Sequence, residues 1–134
     1  KNISKHKLSQ HRIAQNENAS KVDFASADKP LLLEEGKDSQ LVIRLKSNAA
    51  TGFAWFLTSQ YPSAWLHVIS HQYVAPKTRM MGAPGYEIWR FKVLPEAYVV
   101  PRVATIEFVY ARSWQSAPFQ SLKLTVFVFP RDDS

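Results

Sequence analysis

The sequence predicts an all-β domain, a sandwich of two antiparallel sheets with about seven or eight strands. Three observations predict it. Short apolar rows alternate with polar residues at period two, the signature of strands with one buried face. Pro62, Pro76, Pro95 and Pro101 fall between those rows, where a missing N–H does no harm. No segment sustains the 3.6-residue period of a helix. At 134 residues the chain is one domain long, and 46% hydrophobic against 21% charged residues supplies a core over most of it.

Taken in order, residues 1–20 carry few apolar side chains, and Ile3, Leu8 and Ile13 recur every five residues, a spacing that suits neither helix nor strand. They read as a flexible basic tail over residues 1–21, with the sandwich occupying 22–134. Strands are expected near 30–33 and 66–74. Leu41, Ile43 and Leu45 oppose Val42, Arg44 and Lys46, and Phe53, Trp55 and Leu57 form a second row. Trp89, Phe91 and Val93 oppose Ile88, Arg90 and Lys92. Ile106, Phe108 and Tyr110 alternate with Thr105, Glu107 and Val109, and Leu122, Leu124, Val126 and Val128 with Lys123, Thr125, Phe127 and Phe129. Seven such strands at this length fit the immunoglobulin-like type of sandwich.

Composition removes several function classes. There is no cysteine, which excludes disulfide scaffolds, cysteine-ligated zinc, iron–sulfur clusters and a cysteine nucleophile. No apolar run reaches the ~18 residues of a membrane span. The net charge of +6 raises nucleic acid as a partner. Half of it, however, sits in residues 1–20, where Lys1, Lys5, Lys7 and Arg12 face Glu17 alone, and the rest of the chain is ordinary in charge. No nucleic-acid partner is expected. The first residue is Lys rather than Met, which is compatible with an excised leader, and a secreted, periplasmic or endolysosomal setting is expected ahead of a cytosolic one.

Catalytic and metal signatures do not emerge. His67 and His71 are four apart on a strand, so their Cα atoms lie about 13 Å apart, too far to share an ion. Glu34 and Glu35 are adjacent before Gly36 and read as a solvated turn rather than an acid–base pair. The four glycines form no nucleophile elbow, phosphate loop or dinucleotide fingerprint. No catalytic residue, metal or cofactor is expected.

Three inter-strand segments stand out instead. Asn48-Ala49-Ala50-Thr51-Gly52 is a small-residue loop running directly into Phe53 and Trp55. Met80-Met81-Gly82-Ala83-Pro84-Gly85 holds half the glycines. Tyr110-Ala111-Arg112-Ser113-Trp114-Gln115 places an Arg and a Trp where a strand runs out. Each could be a plain turn or a core cap. In a sandwich, alternate turns lie at one end, and a Trp and an Arg beside compact, glycine-bearing backbone are interface residue types.

In this order the segments resemble the loops of the chagasin-type inhibitors of papain-like cysteine peptidases. That family's first loop reads Asn-Pro-Thr-Thr-Gly, an aromatic residue and then a Trp. Asn48, Thr51, Gly52, Phe53 and Trp55 match it, with Ala49 and Ala50 replacing Pro and Thr. Its second motif, Gly-x-Gly-Gly, is met by Gly82 and Gly85, with Ala83 and Pro84 between. Its third, Arg-Pro-Trp, is met by Arg112 and Trp114 around Ser113. The resemblance spans about residues 29–130. It implies a reversible, non-covalent inhibitor, monomeric when free, whose three loops wedge into the cleft of a papain-like or cathepsin L-like peptidase. Thr51 would then approach the catalytic thiol, and Trp114 would lie beside the catalytic histidine region. Two other readings stay open on the residues alone. One is an immunoglobulin-like adhesion or scaffold module; the other is a nucleic-acid binder using the basic tail.

Overall fold

The computed structural model describes residues 19–23, 27–78, 83–114 and 117–131. Eight strands run in chain order: β1 (Ala19–Asp23), β2 (Leu31–Glu34), β3 (Gln40–Ser47), β4 (Phe53–Leu57), β5 (Leu66–Val74), β6 (Gly85–Val93), β7 (Arg102–Arg112) and β8 (Gln120–Phe129). Two single 3-10 turns, Ala49–Thr51 and Pro95–Tyr98, interrupt the connections.

The strands form two four-stranded sheets. The first has the order β1-β3-β6-β5 and the second β2-β8-β7-β4. The ladders β3–β6, β5–β6, β7–β8 and β4–β7 are antiparallel. The two outer pairings, β1 with β3 and β2 with β8, are parallel. Consecutive strands β1 and β2 thus join opposite sheets, each completing an edge.

The period-two rows fold as their alternation dictates. Leu41, Ile43 and Leu45 of β3 and Phe91 and Val93 of β6 face inward, against Ile106 and Phe108 of β7 and Leu124, Val126 and Val128 of β8. Trp89 and Phe91 meet the Phe108 ring edge-on, at centroid distances of 5.3 and 6.5 Å. Such aromatic contacts add to the apolar burial that drives the two sheets together.

Sequence and structure differ at the first strand. β1 begins at Ala19, so the ordered sheet takes in three residues that the sequence assigns to the tail. Its backbone pairs with β3 from Ala19↔Gln40 to Asp23↔Arg44. A strand held by the open edge of an existing ladder needs no strong apolar period of its own. Residues 1–18 lie outside the described residues.

Candidate functional site

Strand registers bring three connections to one end of the sandwich. Ser47 of β3 is paired with Gly85 of β6, and Val74 of β5 with Tyr86. Phe53 of β4 is paired with Arg112 of β7, and Tyr110 with Gln120 of β8. The connections 48–52, 75–84 and 113–119 therefore leave from the same side.

The first of these is a tight, internally bonded loop. The Thr51 N–H and hydroxyl both donate to the Asn48 carbonyl, at 3.2 and 2.7 Å, closing the 3-10 turn. Asn48 is anchored in turn, its own N–H donating to the Tyr110 hydroxyl at 2.9 Å. Gly52 follows with φ +83°, a conformation that a side chain resists. Space imposes the same choice, because a Cβ on Gly52 would lie 2.5 Å from the Trp114 ring.

A continuous stack links this loop to the core. Trp55, buried in the interior, meets Tyr110 at 4.8 Å. Tyr110 stacks on Phe53 at 5.1 Å and 18°. The Arg112 guanidinium lies 4.5 Å above Phe53 and 5.8 Å from the Trp114 ring. Its Nε–H also donates to the Thr51 carbonyl at 3.0 Å, so one side chain ties the third connection to the first. Trp114 ends the stack, 70% exposed.

The base is equally determined. Trp55 donates its indole N–H to the Lys46 carbonyl at 2.9 Å. Its backbone N–H donates to both carboxylate oxygens of Glu87, at 3.2 and 3.1 Å. Glu87 is 2% exposed and also meets the His71 ring, which stacks on Trp89 at 3.9 Å. A buried carboxylate on β6 therefore fastens the middle of β4, across the gap between the sheets. Buried anions persist only when hydrogen-bonded or paired in this way.

The expected site residues thus separate into three groups. Asn48, Thr51, Gly52, Phe53, Arg112 and Trp114 form one interlocked unit, with Ala50 and Ser113 exposed beside it. Ala49 contributes backbone to the 3-10 turn. Gly85 joins the same end through its pairing with Ser47, and a Cβ there would lie 2.3 Å from the Val74 carbonyl oxygen. Ala83 is half-buried and Pro84 exposed, while Gly82 lies outside the described residues, as do Met80 and Met81.

Two contributors, Glu87 and Phe119, lie outside the segments that stand out in the sequence. Tyr110, the first residue of the third segment, gains a role that its sequence position does not give. Tyr110 holds Asn48, and Glu87 holds Trp55. Phe119, 73% exposed, sits 5.5 Å from Phe53 with its N–H on the Tyr110 carbonyl at 2.8 Å. Glu87 carried one available signal: it lies on the inward parity of β6, with Trp89, Phe91 and Val93.

Comparison with known proteins adds independent findings. Residues 36–126 match the family model described as Chagasin family peptidase inhibitor I42. Chagasin of Trypanosoma cruzi is 29% identical over 89 residues, covering 64% of this chain and 76% of that protein. The crystal structure of the cysteine protease inhibitor EhICP2 from Entamoeba histolytica is similar at a TM-score of 0.62 and 21% identity, over 82% of this chain and 94% of that one. The solution structure of amebosin is similar at a TM-score of 0.53 and 18% identity, over 83% and 96% of the two chains. These two likenesses support the fold.

Proposed function

The chain belongs to the chagasin family of peptidase inhibitors, and on that premise we propose that it blocks the cleft of a papain-like cysteine peptidase with the loop end described above. The observation that carries this reading is the Thr51–Gly52 apex, bonded to Arg112 on one side and overlaid by the exposed Trp114. A loop already held in one shape loses little conformational entropy on docking. An exposed Trp beside an Arg supplies the residue types that dominate interface energies.

Inhibition on this scheme is competitive, reversible and non-covalent. The chain brings no cysteine to the enzyme. The compact turn at Asn48–Gly52 presents its backbone folded back on itself rather than extended, which is a poor geometry for attack on a peptide bond. Thr51 leads into the cleft, Arg112 and Trp114 cover one flank, and Ala83–Gly85 faces the other. The tail before β1 plays no part.

Titration of papain and of a cathepsin L-like enzyme with the full chain tests the proposal. The expected result is stoichiometric loss of activity, with serine and metallo-peptidases unaffected. Full activity of several papain-like enzymes under excess protein would sink it.

A further inference from the structure

The outer face of the first sheet has a charge distribution that the loop end does not use. Strands β3, β5 and β6 carry a single acidic residue between them, Glu87, and that one is turned into the core. Alternation leaves Arg44 and Lys46 of β3, and Arg90 and Lys92 of β6, on the opposite, outward side, with His67 of β5 paired to Lys92. The stems of the two arginines have a packing role. Arg44 is paired with Ile88 and Arg90 with Val42, and both apolar partners are buried although they face outward. The guanidinium of Arg44 also lies 4.9 Å over the Tyr86 ring. Stem burial accounts for long side chains at these places, but not for the same sign of charge at all four.

The second sheet provides the contrast. On its outer face Lys123 of β8 is paired directly with Glu107 of β7, and Glu34 of β2 adds another acid. In the first sheet Arg44 is paired in the same way with Asp23 of β1, whereas Arg90 lies between Val42 and Ser70, and Lys92 between Gln40 and His67. The basic sequence of residues 1–18 precedes β1, the edge strand of this same sheet.

We infer that the outer face of β3, β6 and β5 is a docking surface for an anionic lipid bilayer. From Lys46 to Lys92 the cations spread over roughly 20 Å of sheet, several lying within one Debye length of each other in physiological salt. A sheet face is broad and shallow and meets a leaflet with all its cations at once. Proteins that follow a single nucleic-acid strand use a groove and free aromatic platforms instead, and Tyr86 is already covered by Arg44. The loop end lies at the strand tips, roughly at right angles to this face, so both surfaces are usable together.

The test is sedimentation of the full chain with vesicles of phosphatidylcholine alone and of phosphatidylcholine with phosphatidylserine, at low and physiological salt. The expected result is binding that requires phosphatidylserine and weakens with salt. Each cation near such a surface contributes about fivefold, so Arg90→Gln with Lys92→Gln lowers binding roughly 25-fold. Lys123→Gln on the other face leaves it unchanged, and the charge-keeping pair Arg90→Lys with Lys92→Arg restores it. Melting curves establish that each variant is folded, and Arg90→Met, which keeps a stem over Val42, replaces Arg90→Gln should that one melt early. Binding without phosphatidylserine would overturn the inference. So would a double variant that binds as tightly as the parent, which assigns the effect to the tail. Tighter capture of heparin or duplex DNA than of vesicles would make this a polyanion surface and overturn the lipid assignment.

Discussion

The hydroxyl of Tyr110 accepts the backbone N–H of Asn48 at 2.9 Å, joining two residues 62 positions apart. The same ring stacks on Phe53 and packs at a tilt against Trp55. Tyr110 therefore couples the first loop to the core by two means, one polar and one apolar. Tyr110→Phe separates them, keeping the stack and removing the acceptor. The expected cost is about 1 kcal/mol, read as a fall of a few degrees in melting temperature. Inhibition of papain should weaken by about five- to tenfold, because Asn48 is released at the foot of the loop. An unchanged inhibition constant would show that the 3-10 turn holds its shape without this anchor.

Trp114 and Gly52 are expected to behave as one unit. With 70% of its surface exposed, Trp114 contributes little to folding, so Trp114→Ala should barely move the melting point. As an interface anchor its loss should cost ~2 kcal/mol or more in affinity. Gly52→Ala meets both the positive φ and the Trp114 ring 2.5 Å from the new Cβ. In the Trp114→Ala background only the backbone strain remains. A double-mutant cycle should therefore give a stability coupling of about 0.5–3 kcal/mol. Additivity of the two changes would mean that the ring moves aside freely.

Glu87 is expected to be more important as an acceptor than as a charge. Glu87→Leu leaves the Trp55 N–H without a partner in the interior, a loss of about 1–3 kcal/mol, although it also relieves the burial of a carboxylate. Glu87→Gln keeps an oxygen for that N–H and should melt above the leucine variant. Chemical denaturation of the two variants beside the parent makes the comparison. A leucine variant as stable as glutamine would assign the interaction no net stabilising role.

How far these features were legible beforehand follows from their range along the chain. Alternation in Leu41–Lys46, Ile88–Val93 and Leu122–Phe129 is local, and it located β3, β6 and β8 with their inward faces. The motif residues Thr51, Gly52, Arg112 and Trp114 were legible as types, and the structure adds that they touch. What was not legible depends on register between distant strands. Tyr110 reads as one more inward aromatic until β4 is set against β7. Glu87 reads as a mid-strand acid until β6 faces the edge of β4 across the sandwich. β1 escaped for the opposite reason, since its pairing depends on the backbone edge of β3 and leaves no mark in side-chain period.

The middle connection differs most from the family pattern, at Pro84, and its contribution should differ accordingly. Gly85 behind it is crowded by the Val74 carbonyl and the Tyr73 hydroxyl, so the base of this connection tolerates no side chain. Pro84 itself is exposed, fixes φ near −65°, removes an N–H and biases Ala83 toward extended backbone. Stiffness favours docking, whereas the lost donor and the added ring oppose it. The two effects are similar in size, so Pro84→Gly should shift affinity only about two- to fivefold, unequally between enzymes. Thr51→Ala removes the hydroxyl that closes the apex turn on Asn48, about 1 kcal/mol, and should weaken every complex by about fivefold or more. Inhibition constants for both variants against two or three papain-like enzymes rank the loops. A large and uniform loss on Pro84→Gly would make the middle connection a primary anchor and reverse that ranking.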